Sequence, residues 1–395
     1  MSMSPALAAK LLANRKQELT VALTPDIYPW YRQLRGQRIR YDERRAAWLV
    51  FRYADVEQVL LDVDHFSSQR TLKPDGSVDE VAGAGMLGTD PPRHRHLRSL
   101  VVQAFTQKRV AQLEPRIRAI ATQLLDEMAQ ADTLDLVTAF AYPLPVMVIG
   151  ELLGVPAHEA LQFRRWSIDF VGNDYELRMQ TARAISGYFD ALITERTQRP
   201  RQDLISELLN AEVNGERMTR SELIGACLLL LIAGHETTAT LIGNAMWCFD
   251  EHPEAWQQLL ADPALLPGAI EEVLRFRSVV HYLPRVVKQD MRFLDQDLEA
   301  GDLMLPMFAA ANLDPEQFPD PDRFDIRRTP NRHLGFGFGI HLCLGATLAR
   351  LEARVGLGQL MARFPRAQRD HSRPLELRQS SFVYSLKSYP IFLQG

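Results

Sequence analysis

One stretch constrains this chain more than any other: Gly335-Phe336-Gly337-Phe338-Gly339-Ile340-His341-Leu342-Cys343-Leu344-Gly345. A single cysteine is held in a run of glycines, and a helical pattern follows at once through Leu344, Leu348, Leu351 and Val355. Cys343 therefore sits at the mouth of a helix, where free N–H groups and the positive dipole end favour a thiolate. Glycines without side chains let the backbone approach something large and flat. A dinucleotide fingerprint fails here, because counting from Gly337 the third glycine position is Leu342. Three readings stay open from these residues alone. One is a nucleophilic cysteine beside His341, although such partners are normally distant in sequence. Another is a thiolate ligand to haem iron. The third is a buried cysteine with no chemistry.

The 395 residues are 46% hydrophobic, ample for a large core. A net charge of −4 gives no electrostatic case for nucleic acid. Cys227 and Cys248 fall in an apolar helical pattern and read as core, so no disulfide framework is expected and a reducing compartment, the cytoplasm, is. Met1 to Thr20 is polar and reads as neither signal peptide nor anchor. The longest apolar run, Ala226 to Gly234, falls short of the roughly 20 residues of a bilayer span, so no membrane partner is expected.

Along the chain, short helices are expected over Pro25 to Leu34 and from Tyr53 to about Leu61. A strand is expected at Trp48 to Phe51, and a long loop from Ser67 to Leu87. Asp90-Pro91-Pro92 signals a helix start, with His94 and Arg98 four apart on one face, a pair suited to carboxylates. Ser221 to Asp250 reads as one long apolar helix. Ala233-Gly234-His235-Glu236-Thr237-Thr238 is odd chemistry for its middle: glycine costs about 1 kcal/mol of helix propensity, glutamate is rarely buried unpaired, and threonine can bond back to a carbonyl one turn earlier. Together they suggest a local groove with a proton carrier and a hydroxyl beside it. Glu272 and Arg275 can meet on one helical face. Leu303 and Leu305 alternate to one face of a strand after a Gly301-Asp302 turn.

The cysteine loop closely resembles that of the cytochrome P-450 haem-thiolate monooxygenases. Four further motifs resemble that family in its own order: Asp90-Pro-Pro-x-His94-x-x-x-Arg98, Ala233-Gly-His-Glu-Thr-Thr238, Glu272-x-x-Arg275, and Pro321-Asp-Arg323-Phe324. The resemblance runs from about Pro25 to Pro390. It implies a mainly α fold with smaller β-sheets, a single cytochrome P-450 domain over 1–395. Its β-rich portions would be about 36–52, 279–308 and 367–395. It would be a helical prism with haem b (iron protoporphyrin IX) between the Ser221–Asp250 helix and the helix after Cys343. Residue by residue, it implies Cys343 as the iron ligand and His94, Arg98, Arg285 and His341 as anchors of the haem propionates. Glu236 and Thr237 would be the proton-delivering acid–alcohol pair. Glu272, Arg275 and Arg323 would form a structural triad bracing the cysteine loop. Leu229, Ile232, Ala233, Val280, His281 and Val383 would line the substrate pocket, under a lid holding Phe163, Trp166, Phe170 and Tyr175. The family's Arg-Gly pair near Tyr384-Ser385 is absent here.

The activity implied is hydroxylation of an unactivated C–H bond of a hydrophobic small molecule, with O2 and two electrons. Steroids, terpenoids and fatty acids rank first, and polyketides follow. No flavin or iron–sulfur segment is evident, so a separate ferredoxin or flavodoxin with its reductase is expected. Arg93, Arg95, Lys108, Arg109 and Arg354 are candidates for its docking face, and a monomer is expected. Two alternatives stand beside this: a haem-thiolate peroxygenase, dehydratase or isomerase that does not activate O2, and a non-catalytic haem ligand sensor.

Overall fold

The computed structural model describes residues 10, 13, 24, 27–69, 86–159, 162, 163, 165, 166, 169 and 175–393. The principal elements are α1 (Ile27–Gln33), β1 (Ile39–Asp42), β2 (Ala47–Val50), α2 (Tyr53–Leu61), β3 (Phe66–Ser67), α3 (Arg93–Ala104), α4 (Glu114–Met128), α5 (Pro143–Leu153), α6 (Tyr175–Gln198), α7 (Arg220–Glu251), α8 (Leu266–Phe276), β4 (Arg285–Val287), β5 (Leu303–Pro306) and α9 (Ala346–Arg363). Helices dominate and the sheets are small, as expected. Most of the expected 67–87 loop, the polar N-terminus and Phe170 of the expected lid lie outside the described residues.

The long helix α7 organises the core. A full capping box starts it: Thr219 accepts from the Glu222 N–H while the Glu222 carboxylate accepts from the Thr219 N–H. It packs against α5, α6, α8 and α9, and α9 packs in turn on α4. By length and composition α7 is apolar enough to cross a bilayer, with a mean hydropathy of 1.5 in its most apolar window. This differs from the expectation that no stretch is long enough. Burial of 61% of that window inside the protein explains its composition as that of a core helix. One hydrophobic cluster runs from Ile27 to Leu393, so helices and sheets share a core.

The main sheet has the order β1-β2-β5-β4-β3. Its central strand, β5, is parallel to β2 and antiparallel to β4. All four β5 residues are buried, so the expected one-face alternation of Leu303 and Leu305 gives way to a strand covered on both sides. The Gly301-Asp302 turn does not join a hairpin: the preceding strand, Gln296–Leu298, pairs instead with Met291–Phe293. A second, smaller cluster under this sheet includes Val50, Val56, Phe66 and Met304. It fixes α2 and β3 beside the cysteine loop. Near the C-terminus, Pro390–Phe392 pairs with both Thr133–Asp135 and Gln368–Arg369.

Candidate active site

The cysteine loop lies between α2 and α8. Two of its glycines, Gly335 and Gly339, serve close contacts with the protein's own backbone, whereas a Cβ on Gly345 would meet open space. A Cβ on Gly339 would meet the Leu60 carbonyl at 3.0 Å, and one on Gly335 would meet the Leu274 carbonyl at 2.9 Å. Gly339 also has φ +68°, which favours glycine. The Cys343 N–H donates to the Phe336 carbonyl at 2.9 Å and closes the loop. The Cys343 side chain is solvent-accessible, whereas Cys227 and Cys248 are buried. Backbone N–H groups of Gly345 and Ala346 bond to its sulfur and lower its pKa, as the helix mouth predicts. Desolvation by the surrounding protein is larger, so the net shift is upward. The charges of Arg98 and Arg350 also lower the pKa, and a bound metal ion would be the positive partner that holds the thiolate expected at the helix mouth.

Four polar side chains gather near this loop, from α3, β4 and the turn before Cys343. His94 is 1% exposed, and neither ring nitrogen has a hydrogen-bond partner. Burial first, then the charge of Arg98, push its pKa down to about 4. Its ring lies 4.2 Å from that of His341. Arg98 reaches the Leu342 carbonyl at 2.7 Å. Arg285 is 4% exposed, yet its guanidinium meets only the carbonyls of Leu283 and Pro284, at 3.4 and 3.1 Å. Among the described residues no carboxylate pairs with it, and burial pulls its pKa down to about 10. A buried imidazole without partners and a buried guanidinium without a counter-ion are costly unless a ligand completes them. The donor set suits a group bearing carboxylates, and the open thiol beside it suits a soft metal. The residues present therefore fit haem.

In α7 the distinctive sextet does not break the helix, which stays α-helical from Arg220 to Glu251. The expected groove is not opened by Gly234. A Cβ there would sit 3.2 Å from Ile149, so this glycine lets α5 and α7 pack closely. Thr237 Oγ1 donates to the Ala233 carbonyl at 2.7 Å, and Thr240 to that of Glu236 at 2.8 Å. His235 is locked in the core between the Leu231 carbonyl and the Tyr142 hydroxyl, at 2.6 and 3.2 Å. Glu236 is 4% exposed. Within this largely buried helix Leu229, Ile232 and Thr237 are only half-buried, and Ala233 is exposed. Leu229, Ala233 and Thr237 are four apart, so one face of the core helix remains accessible.

The buried ion pair on α8 is as expected. Arg275 donates to both Glu272 oxygens, at 2.7 and 2.8 Å, with both side chains fully buried. The expected third member is corrected. The Arg323 side chain points to solvent and lies 3.8 Å from Asp325; only its carbonyl takes part, accepting from Arg275. Arg328, five residues on, is the side chain that reaches Glu272, at 3.2 Å. Asn331 and the Asp325 N–H complete the carboxylate's partners. A further brace was not anticipated. Glu271 is held by Arg350 and His333, and Arg350 stacks over Phe336 of the cysteine loop at 4.4 Å. Arg350 is the fifth residue of α9, in the second turn of the helix that follows Cys343.

His281, expected in the pocket lining, is corrected to a core residue. It is fully buried, shares a hydrogen bond between Nδ1 and the Tyr31 hydroxyl at 2.8 Å and stacks on Tyr384 at 5.0 Å. Burial lowers its pKa to about 3. Its neighbour Val280 points the other way, half-buried and bridged to Val383, which is 4% exposed. Phe163 and Trp166 of the expected lid pack on Tyr188. The expected basic face is also revised. Arg93 pairs with Glu222, Arg109 with Glu207 and Arg354 with Glu114, whereas Arg95 and Lys108 stay exposed with no such pair among the described residues.

Comparison with known proteins gives a consistent picture. The sequence matches the family described as Cytochrome P450 over residues 40–143 and 145–393. It is 41% identical to cytochrome P450 monooxygenase PikC of Streptomyces venezuelae, covering 93% of this chain and 91% of that protein. It is 36% identical to the polyketide biosynthesis cytochrome P450 PksS of Bacillus subtilis, covering 90% and 91%. Among solved structures, CYP109E1 from Bacillus megaterium in complex with testosterone superposes with a TM-score of 0.85 at 39% identity, covering 94% of this chain and all of that one.

Proposed function

Because this chain belongs to the cytochrome P450 family and its relatives are monooxygenases, epoxidases and hydroxylases, we propose that it hydroxylates a C–H bond of a hydrophobic small molecule of steroid or terpenoid size. The observation that carries this reading is the open Cys343 thiol beside buried donors, His94 and Arg285, neither of which makes a hydrogen bond or ion pair with a carboxylate among the described residues. Haem held there would supply the dioxygen chemistry, with Cys343 as its thiolate ligand.

The chain's own residues do the rest. Cys343 ligates iron from the loop that Arg350 and Phe336 stiffen. His94, Arg98, Arg285 and His341 take the two carboxylates with charge-assisted hydrogen bonds. Thr237 donates its proton to Ala233, so its oxygen faces outward as an acceptor. Glu236, buried and next to it in the helix, is the acid of the acid–alcohol pair that relays protons. Leu229, Ile232, Ala233, Val280 and Val383 form an apolar wall that excludes water and orients the substrate. Electrons come from a separate ferredoxin or flavodoxin with its reductase. Cytoplasmic residence belongs to the same reading, supported by buried Cys227 and Cys248 that form no disulfide, and so does a monomer.

The relative solved with testosterone favours steroids; the relative named for polyketide biosynthesis supports polyketides as the second reading. The test is turnover of both libraries with a surrogate ferredoxin and its reductase. Oxygenated steroid products that require both O2 and reductant are expected. Product without either would point to the peroxygenase, dehydratase or isomerase alternatives. No product from any library would favour a ligand sensor.

A further inference from the structure

Asp90 reads as a helix-start residue in the sequence, but its side chain caps nothing in α3, whose N-cap position is Pro92 without a side-chain bond. It turns away from the helix and clamps the end of β3. Its two oxygens take the Ser67 hydroxyl at 2.5 Å and the Ser68 N–H at 2.8 Å. Ser68, 2% exposed, then reaches His341 Nε2 through its hydroxyl at 2.9 Å. Ser67 is paired to Val286 in β4, next to Arg285. The Asp90 carbonyl accepts the N–H of His94 at 3.0 Å. One residue therefore ties together the segments that carry His94, Arg285 and His341. Those segments come from α3, β4 and the cysteine loop, which otherwise converge from parts of the chain nearly 250 residues apart.

We propose that Asp90 and Ser68 are positioning residues for the carboxylate-binding cradle, with Asp90 setting the place of Ser68 and Ser68 setting the ring plane of His341. The inference rests on the haem reading above and deepens it. Two features separate this pair from ordinary loop bonding. Ser68 is buried and spends its hydroxyl on a side chain 273 positions away rather than on its own backbone. Asp90 places a negative charge beside Arg285 and His94, where it raises the pKa of both against the larger effect of burial. Partners behind a ligating shell typically alter affinity by about 10- to 100-fold when removed.

The experiment measures haem transfer from the holoenzyme to excess apomyoglobin. It compares the wild type with Ser68→Ala, Ser68→Thr, Asp90→Asn and a remote destabilised control, Asp203→Asn, which breaks a buried pair with Arg196. Resonance Raman spectra report the bending modes of the haem carboxylates, and the reduced CO spectrum reports the cysteine bond. Expected are roughly tenfold faster haem loss for Ser68→Ala and Asp90→Asn, shifted carboxylate modes, an intact thiolate spectrum, and return towards wild type in Ser68→Thr. Wild-type loss rates and modes in Ser68→Ala would overturn the proposal. So would loss no faster than in Asp203→Asn at matched thermal stability. Failure of the wild type itself to give a thiolate spectrum would instead overturn the haem reading, so the two failures are distinct.

Discussion

Two buried charged regions lie on either side of the cysteine loop, and they are built on opposite rules. Around Glu272 every charge is answered: Arg275 binds it from its own helix, Arg328 and Asn331 from the loop beyond, and the Asp325 N–H fills the remaining lone pair. Around His94 and Arg285 burial is as deep, but among the described residues the imidazole has no hydrogen-bond partner and the guanidinium has only carbonyls. A closed network is a brace. An open one is a binding site, because leaving such groups buried and unanswered destabilises the protein until a ligand completes them.

The largest break in this comparison comes from the closed side. Glu272→Ala leaves Arg275 buried without its anion and should cost about 3–5 kcal/mol. The denaturant midpoint of the holoenzyme measures it, and a loss within 1 kcal/mol of zero would deny the brace. On the accessible face of α7, Thr237→Ala should cut product formed per electron by roughly a hundredfold. Reducing equivalents should then appear as hydrogen peroxide, with the substrate spin-state response retained. Coupled turnover at the wild-type level would remove Thr237 from the proton path.

Arg285→Met sharpens the contrast by sign. In the apoprotein it removes an unanswered buried cation, so the thermal midpoint should rise or hold, whereas Arg275→Met should lower it. In the holoenzyme Arg285→Met should speed haem loss about tenfold. Equal midpoints for the two apoprotein variants would erase the distinction between closed and open.

A pH-dependent effect concerns His281. Its pKa is lowered to about 3 from the usual 6.5, chiefly by burial. Below pH 6.5 the unfolded chain takes up a proton that the folded protein refuses, so stability falls as pH drops from there towards 3 and is fully present above. His281→Phe should flatten that part of the stability profile. An unchanged slope would assign the acid sensitivity to other groups.

Short-range patterns carried much of this into the sequence. The cysteine loop, α7 with its capping box and the Glu272–Arg275 pair are set by residues within one to three turns of each other. What was hidden depends on contacts between distant segments. Arg323 and Arg328 both lie in the loop that follows Asp322, and only folding decides which guanidinium turns inward to Glu272. His281 and Val280 alternate along an extended run, and the sheet's packing sends the histidine to Tyr31 and the valine to the other side. Gly234 reads as a weak point in a helix, but Ile149 of α5 lies against it. Asp90 carries a helix-start signal, yet its carboxylate is spent on β3.

The most direct test of the central claim is the absorption spectrum of the reduced, CO-treated holoenzyme beside that of Cys343→Ala. The strongly red-shifted Soret band of thiolate ligation is expected in the first and its complete loss in the second, with Cys227 and Cys248 unable to substitute. A histidine-type band in fresh, folded wild-type protein, or a red-shifted band that survives in Cys343→Ala, would contradict that claim.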